Sequence, residues 1–125
     1  MGDFNNLESM KNSFDKLGIG VDIEDIGRFR KMEFEKNKSF YKKVFTDQEI
    51  KYCLSKKDPY KHFTARFCAK EAFVKAINKP IKDYKEVEVG LKNSKPFIVW
   101  KKQKHLVSLS HEKDKAMAFV LTKVF

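Results

Sequence analysis

Alanine recurs at positions 65, 69, 72 and 76 of the run His62–Asn78, H-F-T-A-R-F-C-A-K-E-A-F-V-K-A-I-N, which contains neither glycine nor proline. This spacing predicts one helix with its four methyl groups on a single face, smooth enough for a strand or a second helix to approach closely. Phe63, Phe67, Val74 and Ile77 form an apolar stripe on the same helix, and Lys70 falls inside that stripe. A lone ammonium is costly there, so Lys70 demands a partner. Glu71 and Lys75 lie one turn apart beside the stripe. They read either as an ordinary solvated i,i+4 pair or as a carboxylate and an ammonium at the rim of a cleft.

Gly18-Ile19-Gly20-Val21-Asp22-Ile23 reads as a strand. Alternation sends Ile19, Val21 and Ile23 to one face, and Gly18, Gly20 and Asp22 to the other. The glycine face permits two arrangements. A strand can pack tightly on the alanine face of the helix, with Asp22 capping the next element, or a bulky group can lie against the backbone beside Asp22.

With 125 residues, a hydrophobic fraction of 42% and twelve phenylalanines, the chain is one folded domain, small enough for oligomerisation to help it. A net charge of +10 favours an anionic partner: nucleic acid, headgroups, a polyphosphate or an acidic protein. No apolar run reaches the ~20 residues of a membrane span. Cys53 and Cys68 are the only cysteines. They imply a reducing, cytoplasmic setting without a disulfide framework, and no C-x-x-C or H-x-x-x-H spacing points to zinc.

In residues 1–17, Phe4, Leu7, Met10, Phe14 and Leu17 share one side of a helix, which predicts an added amphipathic N-terminal extension. The acidic residues within it argue against a secretory signal, the lack of Arg against a transit peptide, and Asn6 against myristoylation. Residues 18–125 form the domain proper. Asp25 is placed to cap a helix running to about Phe34, from which Arg28, Arg30 and Lys31 project and Ile26, Phe29 and either Glu33 or Met32 turn inward. Phe40–Phe45 predicts a short helical turn. Thr46-Asp47-Gln48-Glu49 is a capping box opening a helix that ends near Lys56-Lys57. Asn78-Lys79-Pro80 stops the long helix. Val87, Val89 and Leu91 alternate as a strand, Asn93–Pro96 turns the chain into a second strand at Phe97–Trp100, and Lys101–Lys104 is a basic turn. Leu106–Ser110 and Ala116–Val124 predict a last hairpin, with Val107, Leu109 and His111 pointing one way and Ser108 and Ser110 the other.

Together, G-I-G-V-D-I near the start and R-F-C-A-K-E-A-F-V-K-A in mid-chain make a specific pair in order and spacing. From Leu17 onward the sequence resembles holo-acyl-carrier-protein synthase, the small class of 4′-phosphopantetheinyl transferases. Ser108-Leu109-Ser110-His111 is similar to a third, looser motif of that family, and K-K-V-F-T-D-Q-E-I to its connection into the long helix. Ser94 departs from the Gly usual before Lys-Pro.

The resemblance implies an α+β fold, a small antiparallel sheet packed on the long central helix, assembled as a trimer with active sites between subunits. It implies transfer of phosphopantetheine from coenzyme A to a serine of an apo acyl carrier protein, releasing 3′,5′-ADP, in fatty acid or related biosynthesis. Such phosphoryl chemistry needs charge neutralisation and alignment. Asp22 and Glu71 are the expected Mg²⁺ ligands, and Lys75 is expected to contact the same pyrophosphate. Arg66 and Lys70 are weaker phosphate candidates: Arg66 suits a structural ion pair equally well, and Lys70 a buried pairing with Asp22. His111 is expected to contact the nucleotide end or 3′-phosphate. Arg28 and Met32 match carrier-docking positions. The competing readings are a basic nucleic-acid-binding module and a membrane-peripheral protein.

Overall fold

The structure is a computed structural model and describes residues 14–123. Strand β1 (Leu17–Asp25) leads into the short helix α1 (Ile26–Arg30), α2 (Lys38–Val44), α3 (Asp47–Leu54) and the long α4 (Pro59–Ile77). Strands β2 (Glu88–Lys92), β3 (Lys95–Trp100), β4 (Gln103–Glu112) and β5 (Lys115–Lys123) come after it. The five strands form one antiparallel sheet in the order β1-β5-β4-β3-β2. It packs on α4, as expected.

The glycine face of β1 meets the alanine face of α4. Ala69 and Ala72 have no exposure, and Ala65 and Ala76 have 4% each. A β-carbon added to Gly20 would stand 1.9 Å from the carbonyl oxygen of Ala72, so only glycine lets the two backbones come this close. Helix backbone therefore fills the glycine face, and Asp22 emerges just beyond the contact. Ala116, Ala118 and Val120 of β5 complete this core from the neighbouring strand.

A second core is aromatic. Phe29, Tyr41, Phe45 and Phe63 are fully or almost fully buried, with the Tyr41 and Phe63 rings 4.7 Å apart and Phe45 and Phe63 5.0 Å apart. Each such ring contributes about 2 kcal/mol of transfer free energy before ordering costs. Helix α1 ends at Arg30, short of the expected Phe34. Tertiary hydrogen bonds explain the early stop. The Tyr41 hydroxyl donates to the carbonyl of Met32 at 2.7 Å, and the Phe34 N–H donates to the Tyr60 hydroxyl at 3.0 Å. These take backbone groups that another helical turn would use. Neither Asp25 nor Asp22 caps this helix: Asp25 has no side-chain cap bond and pairs with Lys115.

The capping box forms as expected. Glu49 Oε1 accepts from Thr46 N at 2.8 Å, and Thr46 Oγ1 accepts from Glu49 N at 3.2 Å. Asn78, at φ 52°, ends α4 in the left-handed region. Asn93 and Ser94 join β2 to β3 with φ of 52° and 65°. Both central residues of a tight hairpin turn take that sign, so Ser94 adopts the conformation that glycine adopts more freely. The expected N-terminal helix falls largely on residues 1–13, outside the described residues, and Leu17 belongs to β1.

Candidate active site

Asp22 leaves β1 where the strand passes α4, and α4 presents Glu71 and Lys75 beside it. Lys75 Nζ lies 3.2 Å from Asp22 Oδ1 and donates to the Val21 carbonyl at 3.0 Å. The solvated pair of Glu71 with Lys75 does not form. Glu71 Oε1 accepts a hydrogen bond from the Tyr84 hydroxyl instead. Only 10% of the Asp22 side chain is exposed, and its Oδ2 is buried without a hydrogen-bond partner. A carboxylate oxygen in that state is the atom a cation would satisfy.

Glu24 belongs to the same cluster, although the sequence reading does not single it out. It lies two residues after Asp22 on the same face of β1, so the alternation already placed it there. Glu24 Oε1 lies 3.0 Å from Arg28 Nη1. Its pKa is raised to about 7, first by burial and then by the nearby Asp22 carboxylate, which favours the protonated form through hydrogen bonding and through its charge; Arg28 opposes the shift and Glu71 adds to it. The Tyr84 hydroxyl is pushed up to about 12, chiefly by its bond to Glu71, and also feels Asp22 and Glu24. Three carboxylates thus act on one small region. Among the described residues, no three His, Cys, Asp or Glu side chains converge closely enough to hold a metal ion by themselves. The arrangement suits a cation that takes one or two carboxylates and completes its shell with substrate phosphates and water, as Mg²⁺ does.

Lys70 is the clearest departure from expectation. It has no exposure, and its Nζ lies 2.9 Å from Glu49 Oε1, 3.0 Å from the Tyr84 carbonyl and 2.6 Å from the Val87 carbonyl. It pairs with Glu49 and not with Asp22, and its donors are all engaged, so it is no phosphate contact. Burial lowers its pKa while Glu49 opposes the shift.

Arg66 is 4% exposed and lies over the Tyr52 ring, 4.2 Å from its centroid. It forms no ion pair among the described residues; Nη1 reaches only the His62 carbonyl at 3.4 Å, and Nε is buried without a partner. Arg66 borders a pocket of about 360 Å³ lined also by Gln48, Tyr52, Glu88, Leu91 and Phe97. That pocket sets a desolvated guanidinium beside the β2–β3 hairpin, with Glu49 and Glu88 on the same lining.

His111 is exposed near the end of β4, opposite Ala116, and does not touch the carboxylates. Arg28 is 55% exposed, lying over the Phe67 ring at 5.6 Å while bonded to Glu24. Met32 is half-buried against the aromatic core. Arg30 is committed to Asp58 through two bonds of 2.9 and 2.8 Å. Cys53 and Cys68 are free and buried; burial pushes the Cys53 thiol up to about 12 and raises Cys68 as well, so neither is an activated nucleophile.

The model of the 4′-phosphopantetheinyl transferase superfamily matches residues 18–122, which span the sheet, α4 and all the residues above. The chain belongs to that superfamily. Among relatives of this transferase, the holo-[acyl-carrier-protein] synthase of Cytophaga hutchinsonii is 40% identical over 121 residues, covering 83% of this chain and 94% of the relative. That of Chlamydia caviae is 39% identical over 118 residues, covering 85% and 96%. The fold is similar to a holo-(acyl-carrier-protein) synthase of Bacillus anthracis in complex with CoA (3′,5′-ADP). The TM-score is 0.72 at 29% identity, over 86% of this chain and 96% of that one. The Helicobacter pylori synthase in complex with coenzyme A matches with a TM-score of 0.72 at 25% identity, over 82% and 96%.

Proposed function

We propose that this transferase is a holo-[acyl-carrier-protein] synthase, moving 4′-phosphopantetheine from coenzyme A to a serine of apo acyl carrier protein and releasing adenosine 3′,5′-bisphosphate. Synthases from other organisms that cover most of the chain at up to 40% identity support this reading. The observation that carries the mechanism is the buried, unpartnered Oδ2 of Asp22. Asp22, Glu24 and Glu71 face a site that has to accept a pyrophosphate, and like charges exclude one another unless a cation lies between them.

Asp22 and Glu71 would hold Mg²⁺, which supplies neutralisation of the phosphate oxygens when bound. The serine hydroxyl gives its proton to a water held at Asp22 and forms a bond to the β-phosphorus as the bond from that phosphorus to the bridging oxygen breaks. The leaving phosphate carries the electron pair away. Lys75, anchored on Asp22 and the Val21 carbonyl, presents a fixed ammonium to charge developing there. Arg66 offers its guanidinium to a phosphate of coenzyme A, and His111 contacts the nucleotide end or the 3′-phosphate. Arg28 and Met32 receive the acidic carrier protein.

The outer face of the sheet supports a homotrimer. Ile19, Val21 and Ile23 of β1 are 65%, 49% and 58% exposed, next to Met117 and Phe119 of β5 in register. A continuous apolar face of this kind is the expected mark of an interface. Val21→Asp should therefore dissociate the assembly in light scattering, and an unchanged mass would remove this face from the interface. The enzyme works in the cytoplasm, consistent with two free, buried thiols. Among the described residues no helix is long and apolar enough to cross a membrane. The comparisons lend no support to a nucleic-acid-binding module.

The deciding experiment incubates the protein with coenzyme A, Mg²⁺ and an apo carrier protein and measures the carrier by mass spectrometry. A phosphopantetheine increment that disappears with chelator is the expected result. An unmodified carrier at high enzyme concentration, across several carriers, would refute the assignment.

A further inference from the structure

Glu71 has an obvious partner that it does not use. Lys75 lies at i+4 on α4, in the favourable orientation with the glutamate on the N-terminal side. Yet Lys75 is bonded to Asp22 and the Val21 carbonyl, while Glu71 accepts from the Tyr84 hydroxyl.

Tyr84 is brought there by a separate piece of the fold. It opens a single 3₁₀ turn (Tyr84–Glu86) in the connection between α4 and β2, and Asp83 caps that turn by accepting from Lys85 N at 2.9 Å. The Tyr84 carbonyl accepts from Lys70 Nζ, and the Val87 carbonyl accepts from the same ammonium, so both ends of the turn are clamped to α4. Glu49 fixes Lys70, and its other oxygen accepts from Val89 N at 2.8 Å, tying β2 to the same anchor. The Tyr84 ring stacks on Phe67, one turn before Glu71, with centroids 6.0 Å apart and planes 27° apart. Backbone, ring and hydroxyl are therefore each held by a different contact.

We infer that Tyr84 is a positioning residue of the transferase: its hydroxyl holds the Glu71 carboxylate off Lys75 and so leaves it ready for a divalent cation. The inference rests on the reading of Asp22 and Glu71 as the cation's ligands. A glutamate on a helix has three rotatable side-chain bonds, and a ligand that must first leave an ammonium binds a cation more weakly. Hydrogen bonds from outside the ligand set commonly set ligand orientation, and losing one typically lowers metal affinity about 10- to 100-fold.

Tyr84→Phe removes only the hydroxyl and keeps the ring on Phe67 and the carbonyl on Lys70. Mn²⁺ affinity is measured by electron paramagnetic resonance on the full chain with coenzyme A bound and no carrier protein, so that nothing turns over. Glu71→Gln is the reference variant, and a thermal melt of each protein checks the fold. Tyr84→Phe should weaken Mn²⁺ binding about tenfold with an unchanged melting temperature. In transfer assays it should raise the KM for Mg²⁺ and largely retain kcat at saturating Mg²⁺. Affinity equal to or above that of the wild type in Tyr84→Phe, with affinity lost in Glu71→Gln, would overturn the positioning role alone. Equal Mn²⁺ binding by wild type and Glu71→Gln would overturn the cation reading of Glu71, and the positioning role with it.

Discussion

Glu49 and Lys70 form an ion pair, Oε1 to Nζ 2.9 Å, in which neither side chain has any exposure. The pair sits where the aromatic core meets the sheet. Glu49 also satisfies Thr46 N and Val89 N, while Lys70 satisfies the carbonyls of Tyr84 and Val87. Removing one member leaves the other as a buried, uncompensated charge. Lys70→Met should therefore cost about 3–5 kcal/mol in urea unfolding. The double variant Lys70→Met with Glu49→Gln, which carries no orphan charge, should recover part of that loss. Additive losses would mean that the two residues act independently.

Asp22 shows the opposite balance. Its Oδ2 is buried without a partner, and it repels Glu24, so it works against stability in the absence of a cation. Asp22→Asn should leave the melting temperature equal or higher while lowering transfer by at least about a hundredfold. Near-normal transfer at low Mg²⁺ would remove Asp22 from the cation site.

Arg28 joins the proposed docking face to the carboxylates through Glu24. Acidic partners approach faster when a cationic face attracts them, and salt screens that attraction. Arg28→Glu should raise the KM for carrier protein about tenfold or more and leave the KM for coenzyme A nearly unchanged. Added salt should weaken carrier binding by the wild type more than by the variant. Equal losses for both substrates would show that Arg28 serves the Glu24 cluster and not the partner.

His105 makes stability depend on pH. It is 7% exposed, packed between Phe73 and Trp100, with Nδ1 bonded to the Thr122 hydroxyl. Burial holds its pKa below the ordinary value of 6.5. The unfolded chain then binds more protons, so this stability is complete above about pH 6.5 and is lost as pH falls toward the folded-state value. Glu24, raised to about 7, contributes the opposite slope, because stability falls as pH rises from 4.5 through 7. In urea unfolding at pH 5 and pH 7, His105→Gln should remove part of the acid-side loss, and Glu24→Gln should remove the opposing term. An identical pH profile in His105→Gln would place the acid sensitivity elsewhere.

Much of the fold is legible because its signals are local. The Thr46–Glu49 box, the stop at Asn78, the alternation of β1 and the alanine spacing of α4 each depend on residues within a few positions. Complementary small faces on β1 and α4 even anticipate which surfaces meet. Asp22, Glu71 and Lys75 stand out in the sequence because two short motifs carry them, and the structure places Lys75 directly on Asp22. The length of α1 was not legible, since hydroxyls of Tyr41 and Tyr60 from other helices take its backbone groups.

By itself, the sequence determined most of the elements, the matching small faces of β1 and α4, and the need of Lys70 for a partner. Tertiary structure alone decided what that partner is, and it chose Glu49 over Asp22. It also decided that Glu71 bonds to Tyr84 and that Arg28 bonds to Glu24. Periodicity along one element states which side chains share a face. It cannot state which oxygen another element delivers to that face, because that depends on how connections such as the 3₁₀ turn at Tyr84 close in three dimensions.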